Sequence, residues 1–584
     1  MGAAPQIDEL ALPSTIRGLI AARIDNLAPL QRRVLREVSV VGREFLYRLV
    51  RSVSNEPDDL DGSLEMMSAA DLIREKSVDP ELEYVFKHAL TQEVAYEGLL
   101  RRDRQELHER VARAIESTLG DRVDEFVETL AYHFQRSGRV VEAVGYLRRA
   151  GRKALERYAM VESHNHYRAA YKMLTTNDTD NPVDPSIRDR LLLETLVEWA
   201  TAHYYTGAYS GLHELITAHR DLPRAVGDDA LRARWLAWQA NVVWNHDNDI
   251  SGAAALLEEA LELARACGDA TAEAFSLAWL TWVLTTTGEP ARAIGLWPEL
   301  DAILPRVADL TDRRYAYVKG YAGVAIASAL RGDTLTARAH AKELIELGAR
   351  TGNRRASAMG HLVLVHVYQV LGDRTVAEKE ARAMVGCEAD PIYTWLGEIF
   401  AVAATLGIAH PDETSRRIDA NRVEPARHGF GALIASYDVM AANLNLLDGQ
   451  VAQGLRALEE AREQFASVGN LGMCINIDMF TARLDARLSM GGLSKAVLRK
   501  PGFLRLRPGS GKRGRQAFEA LSAGLAAHDL AGMRAEVEYE LGLLAKDQKR
   551  TNDARSHLQN VETILRDETY AWLRHEAGKA LAEL

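Results

Sequence analysis

"GDTLTARAHAKELIELGARTGNRRASAMGHLVLVHVYQVLGDRTVA", Gly332 to Ala377, holds the pattern that decides the fold. A glycine closes one helix, and a small residue follows five positions later in the next. Gly332 pairs in this way with Ala337, and Gly372 with Ala377. The same spacing joins Gly138 to Ala143, Asp249 to Ala254, Gly288 to Ala293, Gly449 to Gly454 and Gly491 to Ala496. A helix end needs a residue that tolerates the left-handed conformation, which glycine and aspartate do. The small residue lets two antiparallel helices approach closely. Anchors from Asp249 to Gly372 recur at roughly 40 residues, within the range of helical-hairpin repeats. The interval from Gly372 to Gly449 is about twice that period, so a degenerate repeat is expected inside it. The pattern predicts a tetratricopeptide-like α-solenoid over residues 121–497, a right-handed superhelix of helical hairpins. No repeat of this kind buries its own apolar face, so stability has to come from stacked neighbours.

Residues 1–120 read differently. Pro13-Ser14-Thr15 offers a helix start, with Ser14 or Thr15 as N-cap, and Ile16, Leu19, Ile20, Ile24 and Leu27 follow helical spacing. A second helix opens at Pro29, carries Leu30, Val34, Leu35, Val38 and Val41 on one face, and ends at Gly42. A third runs through Leu60, Leu64, Met67 and Leu72. Two short extended pieces, "LIREKSV" and "LEYVFKH", flank Asp79-Pro80, and a long charged helix follows Ala89. Three helices and a two-stranded wing is the order of a small winged-helix domain, so the fold class is mainly α.

The stretch from Leu498 to Arg515, "LRKPGFLRLRPGSGKRGR", is basic and rich in Gly and Pro, and reads as a loop inserted in the array. Residues 516–584 read as further helical repeats, closing on the amphipathic "ETYAWLRHEAGKALAEL". Gly509-Ser-Gly511-Lys512 does not make a phosphate loop. Leu506 stands where the motif needs its first glycine, and Arg513 where it needs the magnesium-binding Ser or Thr. The sequence holds no GxSxG elbow, HExxH pair or CxxC pair, so no catalytic or metal motif is assigned. His164 and His166, at i and i+2 on a helix, face apart. "DNDISG" from Asp247 lacks the later glycine and glutamate of a calcium loop and reads as a solvated turn.

Bulk properties agree with a soluble, cytoplasmic chain. Of 584 residues, 26% are charged and 47% hydrophobic, ordinary values for a globular protein. A net charge of −11 argues against a phosphate backbone as main partner. In the third helix, Asp58, Asp59, Asp61, Glu65 and Asp71 would repel DNA. The N-terminus lacks the basic and apolar regions of a signal peptide, and no apolar run is long enough to span a bilayer. Cys267, Cys387 and Cys474 lie far apart, which suits neither a disulfide framework nor a zinc site.

Two stretches, Leu12 to Phe45 and Leu82 to Glu116, resemble the segment that follows the ATPase module in large bacterial signalling ATPases of the AAA or STAND type. Those proteins often begin with a class III adenylate or guanylate cyclase domain and end in a winged helix and tetratricopeptide repeats. The resemblance implies a regulatory or sensor arm that binds a ligand or partner protein and biases an ATPase or cyclase module, in cis or in trans. This sequence carries no Walker A motif, no Walker B strand and no cyclase signature. It is therefore expected to be the C-terminal portion of such a protein. ATP or ADP would reach it only through an ATPase module. The alternative is a stand-alone tetratricopeptide scaffold for proteins.

The resemblance also gives His88, in "FKHAL", a role. In STAND ATPases a histidine at the end of a winged-helix strand reaches the β-phosphate of ADP. The other reading is a histidine that ties the wing to the following helix. A second group of candidates is aromatic: Tyr204, Tyr205, Trp235, Trp238, Trp244, Trp279 and Trp282 fall in successive early repeats. Equivalent positions of a solenoid lie side by side, so these rings are expected to cluster, either as core or as a binding surface on the concave face.

Overall fold

Where the sequence puts Pro29 a helix begins, and where it puts Gly42 that helix has ended. A computed structural model describes residues 14–55, 57–78, 81–176, 182–406, 411–491, 500–528, 530–565 and 571–584. Two units are distinguished, Met1–Trp199 and Ala200–Leu584.

The first unit opens with α1 (Ser14–Asp25) and α2 (Pro29–Val41), then β1 (Glu44–Leu46), α3 (Tyr47–Val53), α4 (Leu60–Ala69), β2 (Ile73–Ser77) and β3 (Glu83–Phe86). Pro13 and the Asp79-Pro80 turn lie outside the described residues, and Ser14 and Thr15, expected as the cap, are the first residues of α1. The strands form an antiparallel sheet in the order β1-β3-β2, with Phe45 opposite Tyr84 and a bulge between Glu75 and Ser77. β1 and α3 are additions to the expected three helices and two strands. Both are too short to show a period, and their order comes from packing. Phe45 stacks on Tyr84 at 5.8 Å and meets Phe86 edge-on at 5.9 Å. Val34, Leu35, Val38, Leu60, Leu64 and Met67 close the core beneath them.

Four helices follow: α5 (Ala89–Glu97), α6 (Arg101–Leu119), α7 (Val127–Ser137) and α8 (Val140–Glu156). Next come α9 (Met160–Thr175) and α10 (Pro185–Thr206). The helices from α6 to α9 pack each on the next. The hairpin array thus begins within the first unit, which runs on to Trp199, past the expected boundary at residue 120. Between α6 and α7, Nδ1 of His108 lies 2.9 Å from Nδ1 of His133, and Tyr96 Oη lies 2.9 Å from His108 Nε2. A nitrogen–nitrogen hydrogen bond needs one donor and one acceptor, so at least one of the two rings is neutral.

The second unit begins with α11 (Tyr209–Ala218), α12 (Leu222–Val226), α13 (Asp229–Asn245), α14 (Ile250–Cys267) and α15 (Ala270–Thr286). It continues with α16 (Pro290–Gly295), α17 (Trp297–Ile303), α18 (Leu310–Arg331), α19 (Thr334–Thr351) and α20 (Arg354–Val370). Then come α21 (Arg374–Gly386), α22 (Pro391–Thr405), α23 (Pro411–Asn421), α24 (Val423–Arg427), α25 (Gly431–Leu447), α26 (Val451–Ser467) and α27 (Leu471–Met490). α22 and α23 pack together in the interval where a degenerate repeat was expected. The last helices are Pro501–Leu506, Ser510–Ala526, Ala531–Asp547, Thr551–Ile564 and Ala571–Ala582.

The loop reading of 498–515 therefore gives way to helix at 501–506 and from 510 onward. Pro501 stands in the first turn, where its missing N–H costs nothing. Phe503 is buried, and Gly509 takes the left-handed turn between the two helices with φ 75°.

The turns follow a two-residue rule: a left-handed residue stops one helix, and the next residue caps the following one. At Gly332-Asp333 the glycine has φ 102°, and the aspartate accepts from Thr336 N–H at 3.0 Å. Gly372-Asp373 and Gly352-Asn353 repeat this. In the α13–α14 turn the left-handed residue is Asn248, with φ 59°, while Asp249 is the N-cap and accepts from Gly252 N–H. The pairing of Asp249 with Ala254 is thus corrected by one position. Ala253 is the fully buried contact, equivalent to the fully buried Ala337. Ala496 lies outside the described residues.

The array also doubles back within the second unit. Ile250 N–H and Ser251 N–H both donate to Val468 C=O, and Ser210 N–H donates to His428 C=O. Gly372 packs against Trp572.

Two outcomes test this description. Ala253→Leu should cost about 1–3 kcal/mol in urea unfolding, because a packed contact is overfilled, whereas Ala254→Leu should stay within about 0.5 kcal/mol. The His108–His133 pair sets a pH response. Burial pushes His108 down to about 3, with His133 and nearby Arg136 and Arg104 adding to the effect, and it pushes His133 down to about 4. The unfolded state binds protons from about pH 6.5 downward while the folded pair does not, so stability falls as pH drops through this window. By pH 5 the loss is on the order of 4 kcal/mol, about 2 from each histidine, read as faster intrinsic-rate-corrected hydrogen exchange across α6 and α7, and His133→Phe should roughly halve it.

Candidate functional site

The aromatic residues of the early repeats meet in the interior of the second unit. Successive helices α13, α15, α18, α20 and α22 each contribute, together with the end of α10. Tyr204 lies 6.0 Å from Trp238, 5.5 Å from Trp279 and 5.9 Å from Tyr315. Trp244 meets Trp279 edge-on at 5.7 Å. Phe275 stacks on Tyr315 at 4.7 Å. Tyr205 joins through Tyr204, at 5.9 Å. Trp235 is buried but has no ring partner among the described residues, so it stands apart from the group. α10 reaches α18 and α20 past the intervening helices, so the array turns tightly here. Of the residues expected to form either core or a concave binding surface, Tyr204, Tyr205, Trp235, Trp238 and Trp279 are buried.

The interior is charged as well as aromatic. Gly320 and Gly323 bring α18 close to its neighbours: a Cβ at Gly320 would stand 2.1 Å from Leu300 of α17 and 3.5 Å from Ala278 of α15, and one at Gly323 would stand 2.1 Å from Thr281 of α15. That approach sets Lys319 Nζ 3.9 Å from the centre of the Trp279 ring and 3.7 Å from that of Trp282. The Trp282 indole N–H donates to Lys319 C=O at 2.7 Å, which fixes the pair. The Lys319 ammonium makes no hydrogen bond among the described residues. Burial, then repulsion from Arg355, push its pKa well below the ordinary lysine value, against an opposing pull from Asp390.

Arg355 is 5% exposed. Its guanidinium carbon lies 4.4 Å from the ring centres of Tyr204 and of Tyr205, and 5.1 Å from that of Tyr393. Its three nitrogens have no partner at strict hydrogen-bond geometry among the described residues, though the Tyr393 hydroxyl interacts with the guanidinium. The nearest carboxylate is Asp390, whose Oδ2 is 3.5 Å from Nε. Asp390 is already engaged: its Oδ1 accepts from Ile392 N–H at 3.0 Å and Tyr393 N–H at 3.4 Å, capping α22. Burial raises its pKa, opposed by Arg355 and those two N–H groups. Burial likewise pushes the Tyr204 hydroxyl up to about 12. The interior thus holds two cations and one carboxylate. On α13, both side-chain amide atoms of buried Asn241 are also without partners, as is Trp279 Nε1 on α15. Asp390 further lines a solvent-open cleft of about 480 Å³ with Pro391, Thr394, Trp395, Glu424 and His428.

Sequence reasoning found the rings and missed the charges. Lys319 could have been singled out as the lone charged residue in the apolar stretch "YVKGYAGVAIA" within α18. Arg355 and Asp390 sit in ordinary helix-start sequence and carry no such signal.

His88 is the last extended residue before α5, with φ −126° and ψ 132°, and its side chain is exposed. His164 accepts from the Trp199 indole N–H at 2.8 Å, while His166 turns toward Glu162, so the two have separate partners. Gly511 packs on Ser489 and Gln548, and Arg513 pairs with Asp485 at 2.6 Å, so that stretch is part of the helical packing. His213, His246 and Asp247 lie together at a turn. The two imidazoles stack at 4.2 Å with planes 16° apart, and Asp247 Oδ1 lies 2.7 Å from His246 Nδ1 and 3.6 Å from His213 Nδ1, so one ligand atom of each residue lies within 4.8 Å of the others.

No family profile matches the chain. An uncharacterized protein of Rhizobium meliloti (strain 1021) is 31% identical over 169 residues, which covers 27% of this chain and 16% of that protein. The chain therefore spans about a sixth of that relative's length. Among solved structures, a Signal Transduction ATPase with Numerous Domains (STAND) protein with a tetratricopeptide repeat sensor, from Pyrococcus horikoshii, aligns with 74% of this chain and 67% of its own. The identity is 15% and the TM-score 0.35. A circular tandem repeat protein aligns with 82% of this chain and 93% of its own, at 16% identity and a TM-score of 0.13.

Proposed function

We propose that the chain is the regulatory arm of a signal-transduction ATPase or nucleotide cyclase, with its second unit as a sensor that receives a ligand or partner protein. The carrying observation is the interior of that unit. Helical hairpins of this kind stack stably on aliphatic and small residues alone. Burying two cations against one carboxylate costs several kcal/mol that packing does not require. Such groups are kept where they act on something.

The order α2, β1, α3, α4, β2, β3, with the central strand last in sequence, supports reading the first part as a winged helix. In this reading the acidic α4 faces no DNA, and His88 meets the phosphate of ADP held by an ATPase module. Its position supports this: it ends a strand, opens a helix and is exposed. A helix N-terminus favours anions. No helix among the described residues is long and apolar enough to cross a membrane, and the proposed place of action is the cytoplasm.

The test first reads the coding sequence immediately upstream for a Walker A motif, whose absence favours a stand-alone scaffold, and then pairs the chain with the ATPase module found there. The chain alone should give no saturable calorimetric signal with ATP or ADP. Combined with that ATPase it should slow ADP release, and His88→Ala should restore fast release while the chain stays folded. An ATPase indifferent to the chain would overturn the reading and leave a protein-binding scaffold.

A further inference from the structure

We infer that His213, His246 and Asp247 form a binding site for a divalent transition-metal ion of the zinc class, between α11 and the α13–α14 turn. The site stands apart from the buried rings and does not rest on the sensor reading.

The donors are already close to the spacing an ion needs. His213 Nδ1 lies 3.6 Å and His246 Nδ1 2.7 Å from Asp247 Oδ1. Zinc bonds of about 2.0–2.2 Å to nitrogen and oxygen put neighbouring donors of a tetrahedral site about 3.3 Å apart. The two observed separations bracket that value. The stacked imidazoles must splay for both nitrogens to face one ion. The last side-chain torsion of histidine is broad, and the two rings are 39% and 27% exposed, which leaves space for the rotation. A carboxylate only accepts, so the 2.7 Å contact puts a proton on His246 Nδ1. The ion takes that proton's place, and the proton leaves to water. A surface hydrogen bond between His246 and Asp247 explains their contact alone. It does not bring His213 to the same oxygen.

The chain presents these groups through an enlarged turn. The α14–α15, α18–α19 and α19–α20 connections are two residues long, whereas α13–α14 has four, His246 to Asp249. The two extra residues are the two ligands. Asn248 then takes the left-handed turn, and Asp249 caps α14. Asn248 Oδ1 is buried and has no hydrogen-bond partner among the described residues, which leaves one more oxygen uncommitted at this turn. His246 is packed from behind: a Cβ at Gly429 would stand 2.9 Å from its Cδ2, and one at Gly431 would stand 2.1 Å from its C=O. Packing on the Cδ2 edge turns the Nδ1 edge toward Asp247. Ser210, on the same helix as His213, donates its N–H to His428 C=O. The site thus sits where the array doubles back, and an ion there ties α11 to the α13–α14 turn. Two imidazoles and one carboxylate, with no thiolate, suit Zn2+ and its first-row neighbours, while Ca2+ and Mg2+ prefer all-oxygen sites. Three protein donors leave a fourth position for water.

The experiment uses the untagged full chain, stripped with a chelator and titrated by calorimetry with Zn2+, Ca2+ and Mg2+. Zn2+ should bind saturably at one ion per chain, with Ca2+ and Mg2+ weaker by about 100-fold or more. His213→Ala and Asp247→Asn each remove one donor, and each should weaken Zn2+ binding by about 100-fold or more. His575→Ala, at an exposed histidine distant in sequence, should leave the titration unchanged. Circular dichroism of all three variants should be that of wild type. Absence of saturable Zn2+ binding overturns the proposal, as does one-to-one binding that survives both donor substitutions, or Ca2+ binding as tight as Zn2+. The measurement needs no ATPase, so its failure would leave the sensor reading standing.

Discussion

Two cations share one carboxylate in the interior of the second unit, and the rest of that interior is arranged around this imbalance. Lys319 and Arg355 are both buried, and the Asp390 carboxylate between them is largely spent on the first N–H groups of α22. Buried charge is stable only where something answers it. Here the answer comes from rings. Trp279 and Trp282 face the ammonium, and Tyr204, Tyr205 and Tyr393 face the guanidinium. Cation–π contacts of this kind recover about 2 kcal/mol when desolvated, less than the cost of burying the charge. The residual deficit singles this interior out from the aliphatic cores elsewhere in the chain.

The fold supplies the means. Gly320 and Gly323 let α18 lie against α15, and that approach carries Lys319 to its two indoles. A left-handed residue followed by an aspartate or asparagine cap joins α13 to α14, α18 to α19, α19 to α20 and α20 to α21. Asp390 belongs to the same series of caps, yet it is the one beside a buried arginine. A device used for stopping and starting helices is reused there to hold a charge in place.

The hairpin array was legible because its punctuation is chemical: glycine and aspartate recur where helices end, and alanine where they touch. The one-residue shift at Asp249 arose because Asn248 can take the glycine's conformation, which spacing alone does not reveal. The basic stretch after 498 misled because prolines and glycines that usually mark loops stand here at helix starts and tight contacts. The aromatic cluster was legible as a cluster, since equivalent repeat positions lie together, but Trp235 shows that spacing does not fix facing. Arg355 and Asp390 were illegible because nothing local distinguishes a buried arginine from a surface one. Only the tight turn of the array puts Arg355 beside Tyr204, which lies far from it in sequence.

The central claim is that Lys319 is buried with nothing to answer a charge on it, so the cost of burying that group is the quantity to measure. Urea unfolding of wild type and Lys319→Met should be followed across a range of pH from neutral upward. With its pKa well below 10.5 when folded, Lys319 binds fewer protons in the folded state than in the unfolded state over that window, so wild-type stability should rise with pH there. The methionine variant should lack that rise and be at least as stable as wild type at neutral pH. A variant destabilised by about 3 kcal/mol or more at neutral pH, with the pH dependence of wild type unchanged, would show that the ammonium is an ordinary structural contact and contradict the account.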